Sequence, residues 1–395
     1  MFSTSQDWQT IRAHASQLEA IRAPLTSALG KTLRADARAD LDSPPFDASA
    51  MDGYAVNSVT GGERLRLIGE SAAGQPFTGT VGAGECIRIF TGAPVPTSAT
   101  RVIKQEDVTR EGDFILAPRL EGPNFIRRRG ENRRAGDVVV PAGTSLAAAG
   151  LATLASAGIT HPEITRSPRC VHLVTGNEII PPDRTPTDAQ IRDSNSTLIA
   201  GLLSSHGAEL VGHAHARDNL ASAQSIVAGF PEHDVLLISG GAGGGDHDFS
   251  RPLLEALGYT LHFQAVNLRP GKPLVFASRG KQLAFALPGN PVSHWVVFHL
   301  FVAPLLQHLQ TGAGVEPPRM KGKLAPGSVL PSPDTRQTFW PSRVAIVDGG
   351  YELSPLPLAS SGDSSGLAAA NALLSLSSPA RTLTADETVD FILCS

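Results

Sequence analysis

The chain has 395 residues, 41% of them hydrophobic and 18% charged, with a formal net charge of -4. That length supports about two to four domains with cores of their own. The slightly acidic balance lacks the basic footprint expected of a nucleic-acid or anionic-membrane binder, so a small-molecule site is the expectation. Cys86, Cys170 and Cys394 lie far apart with no CxxC spacing, which points to a reducing compartment and not to a disulfide framework. The opening MFSTSQDWQTIRAHASQL lacks the charged start, apolar stretch and small-residue cleavage site of a secretory signal. No uninterrupted apolar run approaches the ~20 residues of a membrane span. A cytoplasmic protein is expected, with neither nucleic acid nor membrane as partner.

In chain order, Ile11, Ala15, Leu18, Ile21, Leu25 and Leu29 recur near helical spacing over residues 7–29, with Pro24 placed to break or kink the run. From Leu41 to about Asp137, short stretches (RLRLIG, CIRIF, RVIKQEDV, DFILAP) separated by Gly and Pro predict a compact all-β module. PAGTSLAAAGLATLASAGI, residues 141–159, returns to a helical pattern. The expectation is that this helix and the first pack together, with the β module inserted between them. From Pro168 strands alternate with helices: RCVHLVT, SNSTLIAGLLSSHG, AELVGHAHA, NLASAQSIVAGF, DVLLIS, then a helix near 250–257. Such alternation implies a parallel sheet with right-handed crossovers and ligands at the carboxyl ends of its strands. HWVVFHLFVAPLLQHLQ reads as a helix whose Phe298, Phe301, Leu305 and Leu309 form a core stripe. Residues 315–395 turn Pro/Ser-rich, with short strands that suggest a small β-barrel or sandwich. The expected fold is multidomain α/β plus β. Its parts are a discontinuous helical/mixed N-terminal domain (1–40 with 137–167), an inserted β domain (41–136), an α/β parallel-sheet domain (168–314) and a C-terminal small β-barrel (315–395).

Three polar loops fall at the predicted strand ends. TGNE (175–178) carries Glu178, ARDN (216–219) carries Asp218, and SGGAGGGDHD (239–248) ends in Asp246 and Asp248. A glycine-rich strand exit can bring backbone N–H groups against a phosphate, because no Cβ holds the ligand away. Carboxylates around such a cradle, together with a phosphate, are how Mg²⁺ is usually held. NLRPGKPLVF adds Arg269 and Lys272 as cations for phosphate oxygens. Taken singly, Asp218 also suits a helix N-cap, Glu178 a solvated loop and Lys272 a simple turn. The HAH of 213–215 places two rings on one strand face without a clear third ligand, and the RRR of 127–129 suits a solvated or anion-attracting patch.

FDASAMDGYAV (46–56), AGQP, IRIFTGAPVP (87–96), NFIRRRGE, TGNE, DSN (193–195), GGAGGGDHD, LRPGKP and LPGNPVS (287–293) follow one another along nearly the whole chain. In that order they resemble the MoeA/gephyrin E-domain family, the molybdopterin molybdenumtransferases. The resemblance implies an elongated homodimer of four-domain subunits whose third domain has the MogA-like molybdopterin-binding fold. It implies that adenylylated molybdopterin is bound, that molybdate is delivered to its dithiolene, and that the adenylyl linkage is hydrolysed with release of AMP and molybdenum cofactor. By position it assigns Asp52, Glu178, Asp218 and Asp248 to catalysis, with Glu178, Asp218 and Asp248 holding Mg²⁺. Thr91, Thr175, Gly240, Gly241, Gly243, Gly245, Arg269 and Lys272 are assigned to substrate binding. The upstream molybdopterin adenylyltransferase and acceptor molybdoenzymes are the implied protein partners.

The chain departs from the family pattern where Gly243 replaces a serine and Gly244 an apolar residue, where TGNE stands for TGDE, and where Asn132 replaces an acid; Arg269 often has a lysine in its place. These changes remove negative charge and one hydroxyl donor. They leave room for a catalytically weakened, molybdopterin-binding paralogue that acts as scaffold or carrier. An enzyme of the upstream adenylylation step is a further alternative, against which the complete flanking domains argue.

Overall fold

The structure, a computed structural model, describes residues 4–119, 121–241, 249–314, 316–331, 334–376 and 387–394. The chain divides into two compact units, Met1–Ile21 with Gly30–Thr32 and Ile164–Ser395, and Arg22–Leu29 with Leu33–Glu163.

A six-stranded sheet is the frame of the first unit, in the order Glu209–Ala216, Arg169–Thr175, Val235–Ser239, Gln282–Leu287, Val275–Arg279, Thr260–Phe263. The first four strands are parallel. The last two pairings are antiparallel, so the sheet is mixed where the sequence pattern predicted a parallel one. Helical alternation ends after Ser250–Ala256, and the tight turn at Arg279–Gln282 forces a hairpin in place of another crossover. Val235–Ser239 is buried at every position, as a central strand covered on both faces must be. At the amino ends of the strands, the Arg166 guanidinium donates to both carboxylate oxygens of Asp234 at 2.6 and 2.7 Å. Asp234 also accepts from the Arg169 amide at 2.8 Å. This bidentate pair joins the starts of Arg169–Thr175 and Val235–Ser239, so the register of the opposite ends follows.

One sheet face is covered by helices Leu220–Ala228 and Ser250–Ala256 through Ala223, Val227, Leu253 and Leu254. The other packs on helix Asn195–Ser205 and on a helical run from Pro291 to Thr311 with a π-helical stretch at Phe298–Val302. By length and composition this run could cross a membrane, its most apolar 18 residues having a mean hydropathy of 1.3; 94% of that stretch is buried inside the protein, which makes it a core helix. The predicted stripe of Phe298, Phe301, Leu305 and Leu309 is buried in full. Beyond the helix, Gln337–Val347, Gly350–Pro355, Met320–Leu324, Thr388–Leu393 and Ala372–Leu376 pair in sequence and return to Gln337–Val347. They form a closed five-stranded barrel around Val344, Leu353, Leu374 and Phe391.

In the second unit a six-stranded sheet runs Arg101–Lys104, Gly53–Val56, Glu85–Ile89, Arg64–Ser71, Phe114–Leu116, Thr109–Glu111. Ala55, Ile87, Ile89 and Val102 fill one face, and Tyr54, Leu65, Ile103 and Ile115 the other.

The N-terminal periodicity proves misleading. The helix covers Thr4–His14 only; Leu25–Ser27 is a 3₁₀ turn, and Leu29 is 60% exposed. Pro24 cannot continue a helix, and the apolar positions after it serve other surfaces. Nor do the two predicted helices share a packing face. Thr4–His14 packs against Ala303–Thr311, with Trp8 and Ile11 in the core of the first unit, whereas Ala148–Ser156 lies in the second unit beside strand Val138–Val140.

Leu305 is fully buried in the shared core of the first unit. Leu305→Ala should destabilise that unit by about 2–5 kcal/mol. Hydrogen exchange should show faster opening of amides in 168–311 while the strands of 53–116 keep their protection; uniform loss across both would contradict two separate units.

Candidate functional site

In the first unit, the carboxyl ends of the parallel strands, the RPGKP turn, the start of the central helical run and the barrel enclose a cleft of about 1300 Å³. Gly241, Arg269, Lys272, Gly289, Arg336 and Trp340 are among its lining residues. Each wall has a local cause. Strand Val235–Ser239 ends where Gly240 takes φ +95°, and a Cβ there would sit 2.7 Å from the Thr175 carbonyl oxygen. Only glycine lets this strand exit lie against its neighbour. Thr175 is buried and donates from Oγ1 to the Ser239 carbonyl at 3.3 Å, so Thr175 and Gly240 lie side by side. Gly241 is also in the left-handed region, at φ +63°. Gly243, Gly245 and Asp248, with Gly244, Asp246 and His247, lie outside the described residues.

Opposite stands the loop Pro288–Asn290, held from behind by buried polar side chains. Asn195 Nδ2 donates to the Gly289 carbonyl at 2.7 Å, and His294 Nδ1 donates to the Pro288 carbonyl at 3.1 Å. Burial pushes His294 down to about 4, so the ring is neutral at physiological pH with its proton on the nitrogen that faces the carbonyl. His172 and Ser239, also fully buried, share a 2.6 Å hydrogen bond between Nε2 and Oγ one layer below the glycine exit. Sequence reading named none of these four as site residues. The DSN and LPGNPVS segments were the available signal for Asn195 and His294; nothing local marked His172.

Arg269 and Lys272 divide in role. Residues Leu268–Arg269 pair in parallel with the barrel strand Gln337–Val347, and Arg269 Nε lies 3.7 Å from Asp334 Oδ2. Asp334 is in turn gripped by Arg336 through Nε and Nη2 at 2.9 and 2.7 Å. That bidentate grip, with Arg269 beside it, holds the Asp334 carboxyl well below the usual carboxylate range. Part of the Arg269 charge is thereby spent on joining turn to barrel. Lys272 is exposed on the cleft wall.

Glu178 and Asp218 are both exposed, just beyond Thr175 and Ala216, which are direct partners on neighbouring parallel strands. The Asp218 amide donates to Asn177 Oδ1 at 3.4 Å, so the residue that departs from the TGDE pattern links the two acidic loops. The N-cap of the following helix is Asn219, whose side chain accepts from the Ser222 amide at 2.9 Å; Asp218 is therefore not consumed as a cap. Among the described residues no group of three or more His, Cys, Asp and Glu side chains is disposed to hold a metal. The HAH rings are engaged otherwise: His213 stacks on His172 at 5.3 Å, and His215 Nε2 donates to the Gly176 carbonyl at 2.8 Å.

Asp52 and Thr91 come together in the second unit. Asp52 Oδ1 accepts from the Thr91 amide at 2.7 Å and from Thr91 Oγ1 at 2.8 Å. These two bonds hold the Asp52 carboxyl below its ordinary value, with a smaller contribution from the Arg88 charge. Gly53 explains how Asp52 reaches this place. A Cβ on Gly53 would lie 1.9 Å from the Ile103 carbonyl oxygen, so only glycine lets Gly53–Val56 slot beside Arg101–Lys104 directly after the aspartate. The RRR run pairs with neighbouring acids, Arg128 with Asp47 at 2.6 Å and Arg129 with Asp42 at 2.7 Å, as a solvated patch would.

A depressed Asp52 contributes stability above its unfolded value near ~3.9, and that contribution is lost as pH falls through the lower folded value. Thr91→Val removes one donor and should move the Asp52 carboxyl titration up toward the ordinary range. A ¹³C carboxyl titration unchanged in Thr91→Val would show that the hydroxyl bond does not bear on Asp52.

The chain resembles known proteins along its whole length. Three family models match: "MoeA N-terminal region (domain I and II)" over residues 2–158, "Probable molybdopterin binding domain" over 172–308, and "MoeA C-terminal region (domain IV)" over 326–394. A molybdopterin molybdenumtransferase of Nostoc sp. is 34% identical over 364 residues, 88% of this chain and 83% of that protein. One from Staphylococcus aureus strain Mu50 is 29% identical over 394 residues, 98% of this chain and 94% of that protein. The crystal structure of a molybdopterin biosynthesis MoeA protein from Pyrococcus horikosii superposes with a TM-score of 0.83 at 27% identity, covering 100% of this chain and 99% of that one.

Proposed function

The chain belongs to the MoeA family of molybdopterin molybdenumtransferases, and we propose that it inserts molybdenum from molybdate into adenylylated molybdopterin, hydrolysing the adenylyl linkage and releasing AMP. Its role lies in molybdenum cofactor biosynthesis, as a transferase. The observation that carries the detailed reading is the cleft, where the glycine exit at Gly241 and the RPGKP turn with Arg269 and Lys272 line one space. A phosphoanhydride needs such groups, because charge builds on the leaving phosphate as the bond breaks. Lys272 pairs with a phosphate oxygen, while Arg269, braced by Asp334, keeps the turn in place. The neighbouring carboxylates of Glu178 and Asp218 are hard oxygen donors that suit Mg²⁺, with Asp248 as a third ligand by position. When bound, Mg²⁺ offsets negative charge on the phosphates. Metal insertion itself turns two thiols and molybdate into a dithiolene oxo complex and water, so the thiol protons must reach a departing oxygen. Asp52, ionised and with Oδ1 occupied by Thr91, offers its second oxygen as the relay for that transfer.

We place this activity in the cytoplasm and in a homodimer. The exposed Leu41 and Phe46 of the second unit, at 63% and 40%, supply apolar surface for a second copy. Sedimentation should give a dimer at micromolar concentration; an active monomer there would refute it.

The direct test is to mix the full chain with adenylylated molybdopterin, molybdate and Mg²⁺ and follow AMP. Release of AMP is expected; binding without release would instead describe a molybdopterin carrier. Lys272→Ala should weaken binding of adenylylated molybdopterin by about 2 kcal/mol, near thirtyfold, as for one lost charge-assisted bond. Calorimetry that finds unchanged affinity would remove Lys272 from the phosphate site. Asp218→Asn should keep the affinity and lose the stimulation of AMP release by Mg²⁺.

A further inference from the structure

We propose that Arg88 is a positioning residue for Asp52, fixing the direction in which the carboxylate is presented. The inference rests on the role given to Asp52 above. Arg88 lies in strand Glu85–Ile89, directly across from Tyr54 in Gly53–Val56. Its guanidinium carbon is 5.2 Å from the Tyr54 ring centroid and 4.8 Å from that of Phe90, so the side chain is wedged between two aromatic faces. From there Nη1 donates to the Gly53 carbonyl at 2.9 Å, and Nη2 donates to Gln105 Oε1. The Gln105 main-chain N–H donates to the Asp52 carbonyl at 3.0 Å. Two consecutive backbone carbonyls, those of Asp52 and Gly53, are thus tied to one guanidinium, the first through Gln105 and the second directly.

The Asp52 side chain is held from the same strand. Thr91, whose amide and hydroxyl grip Oδ1, follows Glu85–Ile89 by two residues. Arg88 fixes the backbone of Asp52 and Thr91 fixes its carboxylate, so both ends of the residue are referred to one rigid element. Gly53 is already fixed by its pairing with Ile89 and Lys104; what Arg88 adds is the link that carries this fixed point back to the Asp52 carbonyl through Gln105. A planar fork reaching two acceptors at a set angle does this in a way that a lysine ammonium cannot. The competing account is that Arg88 only cements Tyr54, Phe90 and the sheet. The two accounts differ in what happens when Asp52 is absent.

The test uses the full-length chain with Arg88→Gln, Arg88→Lys, Asp52→Ala and the two double variants, each checked for native circular dichroism and sheet hydrogen-exchange protection. Two quantities are read: the ¹³C titration of the Asp52 carboxyl, and the rate of molybdenum insertion with its KM. Arg88→Gln should shift the Asp52 titration upward and lower kcat by about 10²-fold with little change in KM, the scale of loss for a displaced reacting group. Arg88→Lys, which keeps the charge but not the fork, should leave the titration nearer the parent value and recover part of kcat. In the Asp52→Ala background neither Arg88 change should cost anything further. Losses that add in that background, or an Asp52 titration unmoved by Arg88→Gln, overturn the proposal while leaving the role of Asp52 intact. Full turnover by Asp52→Ala overturns that role and, with it, the proposal.

Discussion

The first unit depends on a helical run that is buried almost throughout, with only Gln307 exposed. Residues 291–311 are covered by the sheet, by the N-terminal Thr4–His14 helix and by the barrel, and a single apolar cluster runs from Trp8 and Ile11 through Phe298 and Leu305 to Phe339 and Ile392. Burial of that much apolar surface is the dominant favourable contribution to the unit. It also has a geometric result. Because three layers share one helix, its amino end cannot shift without disturbing all of them, and that end opens directly from Pro288–Asn290 into the cleft. Asn290 Nδ2 donates to Ser361 Oγ at 2.7 Å, and the Val292 amide to the Ser361 carbonyl at 3.1 Å, so the barrel is stitched to the helix start as well.

Polar groups sit where this apolar frame meets the cleft. Buried Asn195 and His294 spend donors on the carbonyls of Gly289 and Pro288, while Ser239 Oγ bonds His172 Nε2 beneath the glycine exit. An unpaired polar atom at such depth is costly, so each made bond restricts the loop it touches. The cations are disposed with equal economy. Arg269 is drawn to Asp334, which Arg336 already holds, and Lys272 stands exposed one turn away. A guanidinium suits a fixed ion-pair network, and a mobile ammonium suits a ligand phosphate.

The second unit solves a different problem, that of fixing an acid at a strand start. The Asp52–Gly53 pair requires a close backbone approach on one side and two Thr91 donors on the other. Neither constraint alone would orient the carboxylate. Together with the Arg88 fork they leave it one direction.

Much of this was legible in the amino-acid order. Apolar runs such as DVLLIS and RCVHLVT identified central strands, since a strand buried on both faces has no room for alternation. TGNE, ARDN and the glycine exit were expected at one rim because loops at the carboxyl ends of parallel strands gather there. The long ordered segments from SAMDGYAV to LPGNPVS made the family apparent. What local pattern could not reveal was decided by contacts far apart in the chain. Helical spacing at Ile21, Leu25 and Leu29 failed because periodicity does not record which partner each face meets, and the helix stops at His14, well before the break expected at Pro24. The antiparallel hairpin at 275–287 was missed because a short apolar run does not state its direction. His172, Asp334 and Arg336 carry no motif; they matter because folding brings Ser239, Arg269 and Asp334 to them. Residue type and spacing therefore determined which elements form and which chemistry the chain carries, while tertiary packing alone decided which charges are spent on structure and which remain for a ligand, since a hydrogen bond or ion pair depends on distances in space that the order of residues does not contain.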